Sequence, residues 1–326
     1  MIFWKIWKLM MKKPFYFYAA ALCLAPLFFS CSSASKHTIQ NPFITLESLG
    51  EFEPLAEGGA VYLSIDAQRS RPILDMLSFN GGSAADAAVI LNKTTAITAA
   101  FYPQDRQDGL AFLLFARGSY PKGLADFSLG LAKDWKKTKS LVAPVPYWYS
   151  KTNKTALSFN KKYALVSNSD PFAPTNALTA PGTVPPDGFA GFKQDAVIAG
   201  WLNDAGSILN AALEKQGLPF TLDITELFFR VSPVSAPSAS EPFYETEIRM
   251  GAASEEAAMG LAGLFSIARM FAAQIDETGG LNDKTFFLIH TLFSGTPKQD
   301  GAFLTLNLGR CNAEQTALLF NLFSVN

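Results

Sequence analysis

Hydrophobic positions along this chain come in short blocks whose period switches between two and about 3.6, the pattern of a body that mixes strands with helices. Ala60 to Ile65 runs apolar like a strand, and Arg71 to Phe79 and Ser83 to Leu91 carry helical spacing. Ala96 to Tyr102 and Leu110 to Ala116 predict two strands around the polar turn Gln104 to Gly109. A helix from Leu124 to Trp135 follows, then a strand pair at Pro146 to Ser150 and Ala156 to Ser167. The order then recurs. Asp195 to Leu202 predicts a strand, Ala205 to Lys215 a helix stopped by Gly217 and Pro219, and Ile224 to Val231 and Phe243 to Met250 two further strands. Ser254 is placed to cap a helix reaching about Gln274, with Glu255 and Glu256 opposing the helix dipole in its first turn. Phe286 to Phe293 is an apolar segment of either type, Ala302 to Leu308 predicts a strand, and Ala313 to Phe323 predicts a terminal helix.

The strand faces indicate the kind of sheet. Tyr244, Thr246, Ile248 and Met250 alternate with Phe243, Glu245, Glu247 and Arg249, so one face of that strand meets water. Ala111 to Phe115 is continuously apolar, as in a strand covered on both faces. The expected class is α+β: two similar β-α-β-β-α halves, residues 58–167 and 192–326, with antiparallel or mixed sheets and helices mainly on one face. Val61 corresponds to Val197, Phe112 to Tyr244 and Gly123 to Ser254, at offsets of 136, 132 and 131 residues. Between the halves, residues 168–191 hold Pro171, Pro174, Pro181, Pro185 and Pro186 without periodicity, the composition of a linker or long loop.

The N-terminus follows different rules. Lys5, Lys8, Lys12 and Lys13 precede the apolar run Phe15 to Phe29, which ends at Ser30-Cys31 and gives way to Ser32, Ser33 and Ser35. A positive region, a short apolar region and a small residue before the cut are the parts of a secretory signal, and the run is short for a membrane span of roughly 20 residues. With Cys31 where the apolar run stops, the segment resembles the signal of bacterial lipoproteins, whose pattern is an aliphatic residue, two small residues and the lipidated Cys. Ser30 and Cys31 fit that pattern; Phe28 and Phe29 are bulkier than its strict form and resemble the looser boxes of spirochaete-type lipoproteins. The resemblance covers residues 1–31 and implies lipidation at Cys31, by palmitate or a similar acyl chain, and a mature chain anchored to a membrane of the cell envelope. Residues 31–57 then read as a flexible tether.

Removing residues 1–30 leaves 296 residues with a net charge of −5, because the lost segment holds four lysines and no acid. Mild acidity argues against nucleic acid as a partner. With Cys23 removed and Cys31 lipidated, Cys311 is the single remaining cysteine, so no intramolecular disulfide forms and burial must stabilise the fold.

Candidate chemistry is sparse, and no cofactor is implied. His290 is the one histidine of the body, set in the apolar stretch Phe287 to Leu292, where it reads as a core or interface residue. Clustered Cys and His for zinc, and a G-x-S-x-G elbow, are both missing from the sequence. Gly81-Gly82-Ser83 opens a helix but lacks a Walker lysine. Asp105, Asp108, Asp126 and Asp134 read as surface charges. Lys133, Lys136, Lys137 and Lys139 around Trp135 read as a solvated helix end, or as a face for anionic lipid or an acidic polymer. Trp135 and Tyr147-Trp148-Tyr149 read as core and cross-strand packing, or as a stacking surface for sugar rings.

The excess is apolar: 28 Phe, and a helix from Ala257 to Ala273 with Arg269 as its one charge. Leu261, Leu264, Phe265, Ala268 and Phe271 form a stripe, while Met259, Ile267 and Met270 carry apolarity around the cylinder. Such a helix is buried or meets a partner. The sequence therefore predicts an anchored binding or scaffold module rather than an enzyme, meeting an envelope protein or apolar ligand. The alternatives are a carrier or sensor of a hydrophobic ligand, in a pocket lined by Phe265, Phe271, Phe287 and Phe293, and an envelope hydrolase without a recognisable motif.

Overall fold

The computed structural model describes residues 51–52, 55, 59–77, 91–102, 111–140, 145–172, 187–207, 210, 221–234, 242–278, 287, 290–291 and 295–321; residues 187, 271, 273–278 and 321 are described by backbone alone. They divide into two compact units, one of 51–71 and 78–187, the other of 72–77 and 188–326. Cys31, Phe293, Gly81 to Ser83, Asp105 and Asp108 lie outside the described residues.

The first unit holds β1 (Val61–Asp66), β2 (Thr94–Tyr102), β3 (Ala111–Gly118), α2 (Lys122–Leu131), β4 (Trp135–Lys139), β5 (Pro146–Ser150), β6 (Thr155–Phe159) and β7 (Tyr163–Ser167); α1 (Arg71–Met76) follows β1 in the chain. Its strands lie in the order β1-β2-β3-β7-β6-β5-β4, and every neighbouring pair is antiparallel. Phe112 to Ala116 of β3 are all buried, as the continuous apolar run predicted.

Two sequence expectations fail here for local reasons. The helix expected to reach Trp135 ends at Leu131, because Ala132 turns extended (ψ 119°) while its N–H bonds the carbonyls of Ser128 and Leu129. Trp135 instead opens a strand whose burial starts with a buried Trp and continues through exposed lysines, and it pairs with Ser150. The strand expected over 156–167 is two strands. Asn160 folds the turn between them by accepting the N–H groups of Lys162 and Tyr163 at 2.7 Å each, an Asx turn that the alternating pattern conceals.

The second unit holds α3 (Asp187–Phe192), β8 (Ile198–Asn203), β9 (Ile224–Val234), β10 (Phe243–Ala252), α4 (Glu255–Thr278), β11 (Lys298–Asp300), β12 (Phe303–Asn312) and α5 (Ala313–Asn321). The strands run β11-β12-β10-β9-β8, again antiparallel throughout. On one face Ile224, Met250, Ala252, Leu304, Leu306 and Leu308 pack with Ala258 and Leu261 of α4 and Leu319 of α5. The opposite face carries the cross-strand pairs predicted to be wet: Arg230 with Glu247 at 2.7 Å and Arg310 with Glu245 at 3.0 Å. There α3 lays Phe192 against Phe228, with ring centroids 5.5 Å apart, and its last carbonyl accepts from Arg230. The observed class is a mixed fold of antiparallel sheet with a few helices.

Candidate functional site

The feature with the clearest potential for recognition is α4. Ser254 caps it by accepting the N–H of Ala257 at 3.2 Å. Glu256 in the first turn has its carboxyl held below the usual range, first by a bond from its own backbone N–H and then by Ser254. Along one side, Ala258, Leu261 and Phe265 face the sheet. Along the other, Met259, Leu264, Ile267 and Met270 remain 48–63% exposed, interleaved with exposed Gly260 and Gly263. A helix that is apolar all round is therefore covered on one side only, and the expectation of a wholly buried core helix does not hold. Among the described residues, no helix is long and apolar enough to cross a membrane.

Of the residues proposed to line a hydrophobic pocket, Phe265 and Phe287 both pack half-buried on the core of the second unit. The side chain of Phe271 and the whole of Phe293 fall outside the described residues. An open pocket of ≈ 340 Å3 is lined by Phe287, His290, Thr291, Leu308, Gly309, Arg310, Cys311 and Gln315. Its lining mixes apolar and polar residues, and of the four phenylalanines it includes Phe287. His290, one of the lining residues, is exposed, contrary to a core placement. The Cys311 thiol is buried, and burial pushes its pKa up, which disfavours the nucleophilic thiolate. Among the described residues no group of three His, Cys, Asp or Glu stands ready to hold a metal.

In the first unit, Asp126 is more than a surface charge. It accepts from the Trp148 indole at 2.7 Å and from Lys137 at 3.4 Å, and Lys137 also sits 5.3 Å from the centre of the Trp148 ring. Trp135 and Trp148 are both buried, so neither offers a free face for a sugar ring. Tyr120 ties the entry of α2 to β2 through Thr94 at 3.0 Å, and burial pushes its phenol up to about 12. Lys136, Lys137 and Lys139 lie on β4 rather than at a helix end, whereas Lys133 lies in the turn just after α2. Sequence reasoning overlooked Phe127 and Leu131, 61% and 70% exposed on the outside of α2; their i, i+4 spacing was the available signal.

The model of a family described as Outer membrane-associated lipoprotein TP0453 matches residues 47–161. No match is found among curated proteins. Solved structures of TP0453 are similar: crystal form III gives a TM-score of 0.56 at 17% identity, covering 84% of this chain and 98% of that one. Crystal form I gives 0.55 at 17% identity, with 85% and 99% covered. At such identity the structural likeness concerns the fold. The family match agrees with a spirochaete-type, membrane-anchored lipoprotein of the cell envelope; it covers none of residues 1–31.

Proposed function

We propose that the chain is an envelope binding module, anchored by a lipid on Cys31 and using the outer side of α4 to dock on an apolar partner surface. In this reading residues 1–30 are the signal, the tether expected over 31–57 ends before Phe52 and Leu55, which are buried, and 58–167 and 192–326 are two similar halves joined by 168–191. The observation that carries it is the row Met259, Leu264, Ile267 and Met270, held open to solvent by a helix whose other side is committed to the core. Exposed apolar rows of this length mark interaction sites more often than chance.

A photoreactive residue placed at position 267 in the full chain, expressed in its host, tests this. One discrete adduct is expected there and none at Lys298, and Met270→Glu should abolish it. Background labelling equal at both positions would reject the docking face. A carrier of a hydrophobic ligand is the second reading, favoured by the pocket beside Phe287. Native mass spectrometry of the purified chain decides it, since a carried lipid would appear as an added mass.

A further inference from the structure

Trp148 donates its indole N–H to Asp126 on the α2 side of the first unit's sheet, so its strand neighbours Tyr147 and Tyr149 stand on the opposite side. Both are part-exposed there, their Cα atoms roughly 7 Å apart as two residues of an extended strand must be. Across the edge strand β4, exposed Lys136 is paired with Tyr149, and exposed Lys151 lies two residues past Tyr149 in the turn after Ser150. On the inner side Tyr149 is paired with Ala156, which is small and buried. Asp170 lies at the Tyr147 end: burial first, then the charges of Asp170 and Tyr149, push the Tyr147 phenol up. The Asp170 carboxylate is fixed by accepting the Ser140 hydroxyl at 2.8 Å and the Phe172 N–H at 2.9 Å.

Tyrosines in a strand ordinarily serve cross-strand packing, and lysines on an edge strand guard it against other chains. Neither use accounts for two part-exposed rings in one row, with cations at one end and a fixed carboxylate at the other. A pyranose ring has C–H faces that settle on an aromatic ring, and a rim of hydroxyls that needs donors and acceptors. The two phenols, Asp170 and the lysines offer both kinds of contact. We propose that this face of the first unit holds two successive sugars of a linear glycan that carries carboxylates, as muramyl sugars do. Tyr147 and Tyr149 take one ring each; Asp170 accepts from the hydroxyls of the sugar on Tyr147, and Lys136 and Lys151 meet the carboxylate of the sugar on Tyr149. Charge selects the occupant, because two cations stand against one acid already engaged by Ser140 and Phe172, and a neutral glycan leaves them unanswered.

The test uses the full chain in a sugar-free detergent. It is titrated calorimetrically with a tetrasaccharide alternating N-acetylglucosamine and N-acetylmuramic acid, and with chitotetraose as the neutral control. The acidic tetrasaccharide should bind more tightly, and high salt should remove the difference. Tyr149→Thr, which keeps a strand-forming residue, should lower affinity about tenfold, whereas Tyr149→Phe, which keeps the ring, should change it little. Lys136→Gln should weaken the acidic tetrasaccharide a few-fold and leave chitotetraose unchanged. On the unaltered chain, lysine acetylation read residue by residue by mass spectrometry should slow at Lys136 and Lys151 when the acidic tetrasaccharide is present, and stay the same at Lys298. That measurement needs no variant, so it decides the matter even where Tyr149→Thr fails to fold. Equal binding of the two tetrasaccharides, no binding of either, or an unshielded Lys136 would overturn the assignment.

Discussion

Two substitutions on α4 separate a docking helix from a core helix. Leu261 is 5% exposed and packs with Met250, Leu304 and Leu306, whereas Ile267, less than two turns later, is 48% exposed. Leu261→Ala removes three buried carbons and leaves a cavity between α4 and the sheet, a change that costs about 3 kcal/mol in comparable cores. Ile267→Asp places a carboxylate where water already reaches, and surface changes of that kind cost about 0.5 kcal/mol or less. Helix propensity adds little, since Ile and Asp lie close on that scale. Urea unfolding of the full chain, followed by far-ultraviolet circular dichroism, reads both. The midpoint should fall clearly for Leu261→Ala and stay nearly unchanged for Ile267→Asp. If Ile267→Asp were as damaging as Leu261→Ala, the outer side of α4 would be buried in the folded protein and the docking face would not exist.

Other consequences can be checked separately. Cys311 should resist iodoacetamide at mildly alkaline pH until urea exposes it, since burial raises its pKa. The matching stability is present below the unfolded thiol's pKa and is lost as pH climbs through the raised value; equal alkylation rates in native and unfolded chains would refute the burial. Gly118→Ala brings a Cβ to 2.0 Å from the Lys93 carbonyl and should cost about 2 kcal/mol, while Gly260→Ala, with open space around it, should stabilise α4 by about 0.5–1 kcal/mol; thermal unfolding of the pair tests the contrast. Cys31→Ala should abolish acylation and move the chain from the detergent to the aqueous phase, and unchanged partitioning would remove Cys31 as the anchor.

Much of the architecture was legible because the relevant information is local. Alternation in β10 announced one wet face, and Glu245 and Glu247 indeed meet Arg310 and Arg230 there. Ser254 with Glu255 and Glu256 announced the start of α4, since a cap acts within one turn. Where local signals compete, the reading went astray. Leu124 to Trp135 keeps helical spacing past Leu131, yet burying Trp135 against Ser150 and the neighbouring strand outweighs one more helical turn. Asn160 breaks an apolar stretch with two side-chain bonds that no periodicity reveals.

The sequence by itself determined the identity of most elements and the N-terminal resemblance to a lipoprotein signal. Each depends on residue type and spacing along the chain. Tertiary structure alone decided which side of the apolar helix α4 is covered, because a sheet can shield only the side it touches. It also decided that Lys133, just after α2, and Lys151 and Lys154, in the turn after β5, share one end of the sheet, since antiparallel pairing brings turns far apart in sequence together.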